Sequence, residues 1–330
     1  MTDDNVIVKI SNLDKMVGKK YILKNINLDI KKGESFGIIG VSGSGKTTLM
    51  KVLVGFLLPD GGDVLFKTRE VFKPVHKYTD EAKKAFGFAA QEPSFYLELK
   101  VTENLEHFAT LFNVPGIERK QMIEKLLKKV DLWDARDNMT MKLSGGMRKR
   151  LGLIASTIHN PEIFVLDEPT ADLDPYSRRQ VMKFVKEVNQ EGKTVIIASH
   201  HLDDIEEMCD RIAVIHDGKI LMTGTSAQLK KDYMKDKKIE IQTASENYQN
   251  IKDNLINLNL DIKEIKEEGK RLIIKTEDVV TALVYIMATI RKGKDELLDI
   301  SIERPGLNEV FEDMMSQKHE KVNVSGTQKC

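Results

Sequence analysis

The sequence predicts an α/β protein with a mostly parallel central sheet, followed in the chain by a small α+β domain. Three observations predict it. A glycine-rich loop, Gly40-Val41-Ser42-Gly43-Ser44-Gly45-Lys46-Thr47-Thr48, stands between a short apolar run and an amphipathic stretch. Apolar runs at 163–166 and 194–198 are continuous, as in parallel strands buried on both faces, with a helical pattern over 177–191 between them. From residue 239 the pattern becomes β-α-β-β-α-β, the split βαβ order of ferredoxin-like domains.

The first residues of structure read as β. Val6–Ile10 is one strand, and Ile26–Ile30 alternates as another. Lys32-Gly33 turns the chain into Glu34–Ile39, a buried strand that runs into the glycine loop. Lys46–Phe56 reads as a helix with Leu49, Val52, Leu53 and Phe56 on one face. Pro59-Asp60-Gly61-Gly62 is a turn, and Asp63–Phe66 starts a strand. Residues 73–86 are polar and helical in part, and Gly87–Gln91 reads as a strand ending in a glutamine. From 101 to 158 helical spacing takes over, with Leu105, Phe108, Ala109 and Phe112, then Ile123, Leu126, Leu127 and Val130. A helix opening at Leu143-Ser144-Gly145-Gly146-Met147 runs through Ile158. Arg211–Ile215 and Ile220–Thr223 flank Asp217-Gly218 as a hairpin.

These elements divide the chain into an α/β domain over 1–229 that holds the glycine loop, with a helical insert at about 101–158, a lysine-rich linker over 230–238, and an α+β accessory domain over 239–316. In the last of these the strands are 239–243, 260–266, 271–276 and 297–303, the helices 246–257 and 278–291, and Leu307–Met315 closes it as a helix. Residues 317–330 are polar and expected to be disordered.

Composition narrows the function classes. The 330 residues carry 51 Lys plus Arg and 51 Asp plus Glu, a net charge of zero, which argues against nucleic acid as the main partner. There is no apolar run long enough to span a membrane and no signal peptide at Met1–Asn5. Two cysteines, Cys209 and Cys330, give no disulfide framework and point to a reducing cytosol.

The glycine loop matches G-x-x-x-x-G-K-[ST] and has the strand and helix its chemistry needs. Glycines let backbone N–H groups curl around phosphate, and the helix N-terminus adds the positive end of its dipole. Lys46 would neutralise the β- and γ-phosphates, and the Thr47 hydroxyl would hold Mg²⁺. Asp167 and Glu168 follow the buried run at 163–166, at the carboxyl end of a strand, where ligands sit in open α/β sheets. Asp167 would hold Mg²⁺, and Glu168 would position or deprotonate the attacking water. Ser144, Gly145 and Gly146 stand at a helix start, and their spacing alone fits either a helix cap or an anion site.

Together these motifs closely resemble the ATP-binding cassette (ABC) ATPases, a branch of the P-loop NTPases. Gly40–Thr48 resembles Walker A and Ile163–Glu168 Walker B with its catalytic glutamate. Leu143–Met147 resembles the signature motif, Gln91 the glutamine of the Q-loop, Ala171–Asp174 the D-loop and His200 the switch histidine. The resemblance covers residues 6 to about 225. It implies a fold with an antiparallel β portion and a helical insert, and it implies ATP and Mg²⁺ as ligands. It also implies a head-to-tail dimer in which Ser144, Gly145 and Gly146 of one copy contact nucleotide on the other. Asp174 would cross that interface, His200 would meet the γ-phosphate, and Gln91 would reach Mg²⁺ and the attacking water.

The chain departs from the family pattern at three places. The position before Gly18, usually an aromatic residue that stacks on adenine, is Val17, with Tyr21 four residues on. Met147 replaces the commoner glutamine, and Lys149 stands where a glutamine is frequent. Arg304–Phe311 and Gln91–Leu99 resemble stretches of drug- and polysaccharide-exporter ATPases. The expected function is therefore the ATP-hydrolysing subunit of an exporter, on the cytoplasmic face of the membrane, driving a separate permease as a dimer, most simply a homodimer. The alternatives are an importer ATPase with a regulatory C-terminal domain, and a soluble ABC ATPase acting on nucleic acid or ribosomes.

Overall fold

The computed structural model describes residues 5–92, 95–233, 237–257 and 262–303. Its contacts divide the chain into two compact units, Met1–Thr225 and Ser226–Cys330.

The first unit opens with β1 (Val6–Val17) and β2 (Lys20–Lys31), then β3 (Ser35–Ile39) and α1 (Lys46–Leu53). The chain continues through β4 (Gly61–Thr68), β5 (Val71–Pro74), α2 (Thr79–Ala85) and β6 (Phe86–Ala89). The helical insert holds α3 (Val101–Leu111), α4 (Gly116–Lys129) and α5 (Gly145–Ala155). After it come β7 (Ile163–Asp167), α6 (Pro175–Gln190), β8 (Thr194–Ser199), α7 (Leu202–Met208), β9 (Arg211–His216) and β10 (Lys219–Gly224).

Two sheets result. One is antiparallel, in the order β2-β1-β4-β5; the other runs β10-β9-β3-β8-β7-β6 and is parallel except for β10. Every residue of β3, β7 and β8 is buried, which explains why these strands lack polar alternation. Strands β3, β7 and β8 bring the glycine loop, Asp167-Glu168 and Ser199-His200 to their carboxyl ends, because parallel neighbours end on the same side. Leu49, Met50, Val52 and Leu53 of α1 join both sheets in one apolar core with Phe36, Phe66, Val165 and Ile196.

Several boundaries differ from the sequence expectation. The helix after the glycine loop stops at Leu53, not Phe56, and Phe56 is exposed. Gly55 has φ 79°, its N–H bonds the Val52 carbonyl at 3.1 Å, and Phe56 N–H bonds that of Lys51 at 2.8 Å. That pair of bonds is a Schellman stop, which local helical periodicity does not reveal. Gly61 and Gly62 belong to β4, where Gly62 crosses so close to β1 that a Cβ would lie 2.2 Å from the Asn12 carbonyl oxygen. β6 ends at Ala89, leaving Gln91 exposed in the following loop. The signature helix is shorter than 143–158, starting after its cap Ser144 and ending at Ala155.

In the second unit α8 (Ser226–Tyr233) occupies part of the stretch read as linker. Beyond it lie β11 (Lys237–Thr243), α9 (Gln249–Asn257), β12 (Ile262–Glu268), β13 (Arg271–Thr276), α10 (Val279–Lys292) and β14 (Leu297–Glu303). The sheet order β12-β13-β11-β14 is antiparallel throughout, with β13 inserted between the two strands that α9 connects. That is a split βαβ. Ile239, Ile241, Leu272 and Ile274 meet Ile251, Leu255, Ala282 and Ile286 in a core of their own. The helix expected at Leu307–Met315, the 304–311 ending and the 317–330 tail lie outside the described residues, as do Pro93 and Ser94.

Candidate nucleotide site

The glycine loop leaves β3 at Gly40 and enters α1 at Lys46. Gly43 has φ 78° and Gly45, the N-cap of α1, has φ 109°. Both values lie in left-handed space, which glycine reaches without steric cost. The Ser44 side-chain oxygen is buried without a hydrogen-bond partner among the described residues. The Lys46 ammonium donates to the carbonyls of Gly40 at 2.7 Å and Val41 at 3.3 Å, and stands 3.7 Å from Glu168 Oε1. Thus Lys46 lies folded over the loop it would use to hold phosphate.

Asp167 ends β7 and is 2 % exposed. Burial pushes its carboxyl above the usual carboxylate range; the Thr47 hydroxyl opposes that through a hydrogen bond, while the Glu168 charge adds to it. One Asp167 oxygen, Oδ1, is buried with no donor among the described residues. Such an orphaned acceptor beside a hydroxyl fits a divalent cation, a charge that would draw the carboxyl back to its anion.

Glu168 adopts φ 50°, an uncommon backbone for a non-glycine residue and one that recurs at functional sites. Its N–H donates to the Ala198 carbonyl at 2.8 Å. Its Oε2 lies 2.8 Å from His200 Nδ1, accepts from Ser199 Oγ at 3.2 Å and from His200 N–H at 3.3 Å. Glu168 is therefore gripped from β8 and its following loop on one side and faces Lys46 on the other. His201 makes no bond to Glu168 in this arrangement; its N–H donates to Ser199 Oγ at 3.0 Å and its ring packs against that of His200, with centres 4.2 Å apart.

A cavity of about 500 Å³ is lined by Ser42, Lys46, Thr47, Gln91, Glu168 and His200 among others. Gly43, Gly45 and Thr48 border it too. The structure thus brings one group of the expected residues together. A second group lies apart from this cavity. Ser144 caps α5, its Oγ accepting from Met147 N–H at 3.2 Å. Asp174 caps α6, accepting from Tyr176 N–H at 3.0 Å and Ser177 N–H at 2.9 Å, bonds that hold its carboxyl below the usual range. The two caps adjoin, since a Cβ on Gly146 would lie 2.5 Å from Ser177 Oγ and 3.4 Å from Asp174 Oδ2.

Three residues that matter to this geometry were not read from the sequence. Ile22, the extra residue of a bulge between the Lys15–Leu23 and Met16–Tyr21 pairs, lines the cavity. Val17 and Tyr21 are 60 % and 47 % exposed and do not line it. Asn104, wholly buried on α3, ties the loop after Gln91 in place through Tyr96 N–H and C=O at 3.0 and 2.9 Å, and reaches Thr140 Oγ1 at 2.9 Å. Asp204 on α7 accepts from Thr170 Oγ1 at 2.6 Å and pairs with Arg178, fixing the turn after Glu168. A polar residue on an otherwise apolar helix face was the signal available for Asn104.

The family model for ABC transporters matches residues 23–171. The linearmycin resistance ATP-binding protein of Bacillus subtilis is 34 % identical over 223 residues, covering 68 % of this chain and 70 % of that one. The bacitracin transport ATP-binding protein of Bacillus licheniformis is 32 % identical over 74 % of this chain and 77 % of its own. The daunorubicin resistance ATP-binding protein of Streptomyces coeruleorubidus is 29 % identical across 92 % and 94 %. Among solved structures, an ATP-binding cassette captured as a dimer in a post-hydrolysis state with ADP and Pi superposes with a TM-score of 0.60 at 28 % identity, covering 66 % of this chain and 98 % of that one. A cassette of the cbiONQ ABC transporter complex of Clostridium perfringens gives 0.62 at 29 %, covering 69 % and 92 %.

Proposed function

Because this chain belongs to the ABC transporter family as an ATP-binding and ATP-hydrolysing subunit, we propose that it drives an exporter, acting as a dimer on a separate membrane permease. The observation that carries the hydrolytic reading is the convergence of Lys46, Glu168 and His200 on the cavity above the glycine loop. Phosphoryl transfer asks mainly for positioning and charge stabilisation, and these side chains supply both. The loop N–H groups and Lys46 bind the phosphates. Thr47 and Asp167 would hold Mg²⁺, consistent with the buried Asp167 Oδ1, which has no hydrogen-bond partner among the described residues. That ion would neutralise charge developing on the phosphate oxygens. Glu168 orients the attacking water and takes its proton, with His200 and Ser199 fixing the carboxylate. Gln91 lines the same cavity, from where it would reach Mg²⁺ and the attacking water.

The same geometry favours two copies. Ser144, Gly145, Gly146 and Asp174 form a patch of two adjoining helix N-termini that does not line the cavity. A helix N-terminus suits an anion, and a second copy supplies one if its glycine loop faces this patch. The export direction rests on the relatives named for resistance to linearmycin and daunorubicin and for bacitracin transport. Among the described residues no helix is long and apolar enough to cross a membrane, so transport would need a permease, with the cassette on the cytoplasmic face. Tyr96 and Leu97, exposed before α3, and Leu111, exposed at its end, offer that permease apolar contacts.

The test is Glu168→Gln. ATP binding should persist, hydrolysis should fall by about a hundredfold or more, and size-exclusion chromatography with ATP should show an accumulated dimer. Near-normal turnover would overturn the role given to Glu168. Recovery of a stoichiometric polytopic protein with the chain from membranes tests the transport reading; a ribosome in its place would refute it.

A further inference from the structure

Lys149 has no role in the site as described so far. It lies on α5, the helix that Ser144 caps, and is partly buried. Its ammonium donates to the backbone carbonyl of Glu168 at 3.4 Å and to that of Ala171. These carbonyls belong to the turn that leaves β7. The turn closes on itself through Ala171 N–H to the Glu168 carbonyl at 3.3 Å, and carries two non-glycine residues in left-handed space, Glu168 at φ 50° and Asp172 at φ 59°. Such backbone persists only where the surroundings over-determine it. Gln91, Glu168 and Lys149 also line one small cavity. Burial pulls the lysine toward its neutral form, whereas the charges of Asp172, Glu168 and Glu92 favour the cation. An ammonium has three donors, enough to bridge two carbonyls at once.

We propose that Lys149 is a positioning residue for ATP hydrolysis. By holding the Glu168 and Ala171 carbonyls it keeps the left-handed turn that aims the Glu168 carboxylate into the phosphate cavity. The same side chain connects that turn to the helix that Ser144 caps and that opens with Gly145 and Gly146. A nucleotide that shifts this helix therefore shifts the water-orienting group of the helix's own chain. This inference rests on the reading of Glu168 as the water-orienting carboxylate.

Lys149→Met keeps an unbranched side chain one atom shorter and removes its donors; Lys149→Arg restores donors. On the purified full chain, Lys149→Met should lower kcat for ATP about tenfold while KM and the affinity for a fluorescent ATP analogue stay within about twofold. Lys149→Arg should recover most of the lost rate. Lys149→Gln, a neutral donor, should fall between the two and serves where the methionine variant fails to fold. In a Glu168→Gln background, Lys149→Met should cost little further rate, because both act on one group. A Lys149→Met or Lys149→Gln protein with wild-type kcat, or one whose ATP affinity falls in step with kcat, overturns the inference. Normal turnover by Glu168→Gln alone would instead remove its premise.

Discussion

Gly40, Gly43 and Gly145 are all glycines in binding motifs, yet each is needed for a different reason. A Cβ on Gly40 would lie 2.3 Å from the Ile215 carbonyl oxygen and 2.6 Å from Ser44 Oγ. Gly40→Ala should therefore destabilise the fold by about 1–3 kcal/mol, as overpacking does, and weaken ATP binding by moving Ser44. Gly43 has open space around it but φ 78°, so only backbone strain opposes a side chain there. Gly145 has neither constraint: among the described residues nothing lies within 4 Å of its added Cβ, and its φ is not positive. Gly145→Ala should leave the melting temperature and ATP binding unchanged and still cut hydrolysis, because in the proposed dimer it is the nucleotide on the other copy that would need Gly145 bare. Chemical denaturation, nucleotide titration and ATPase rates on Gly40→Ala and Gly145→Ala separate the two cases. Full activity in Gly145→Ala would argue against the signature patch meeting nucleotide at all.

At the scale of elements, His159 shows how the helical insert is tied to the sheet. It follows α5, stacks on Phe112 beyond the end of α3 with ring centres 3.8 Å apart and planes 8° from parallel, and has Nε2 3.1 Å from the Phe86 carbonyl at the start of β6. Burial holds its imidazole below the ordinary value of 6.5, with the Lys193 charge adding to that and the Phe86 carbonyl opposing it. The unfolded chain therefore binds a proton more readily than the native one. Stability from this group is complete above the unfolded value of 6.5 and declines as pH falls from there toward the depressed native value. Melting temperature followed from pH 7.5 to 5 should drop more in the wild type than in His159→Phe, which keeps an aromatic ring for Phe112 and does not titrate. Equal slopes would show that other groups set the acid limb. Packing of this kind was hidden in the sequence, since His159 and Phe86 are far apart along the chain. What was legible was local. The first four residues of β7, Ile163–Leu166, read as an unbroken apolar run, and the glycine loop carried its strand, turn and helix side by side. Asn104, Ile22 and Lys149 escaped because their partners come from elsewhere: Thr140 across the insert, a bulge opposite β1, and the carbonyls after β7. Phe56 was misplaced because a helix stop depends on the φ of Gly55 and not on apolar spacing.

For the molecule as a whole, the separation of the two residue groups decides how activity depends on concentration. The cavity holds the glycine loop, Gln91, Glu168 and His200, while Ser144, Gly145, Gly146 and Asp174 stand elsewhere on the same unit. In the proposed dimer a single copy would bind ATP with the first group but leave the γ-phosphate without the second, so binding and hydrolysis should scale differently. Nucleotide bound per chain should be constant on dilution. Hydrolysis per chain should fall on dilution, with the total rate rising as about the square of protein concentration well below the dimer dissociation constant. Lys46→Ala chains, which lack the phosphate-binding ammonium but keep an intact signature patch, should raise the rate of dilute wild-type protein when added in excess. The patch they contribute completes the wild-type site. Doubly substituted Lys46→Ala, Ser144→Ala chains should fail to do so. A total rate strictly linear in concentration, in protein that light scattering finds monomeric with ATP, would mean that one copy hydrolyses alone. The adjoining caps of α5 and α6 would then be structural ends of helices and nothing more.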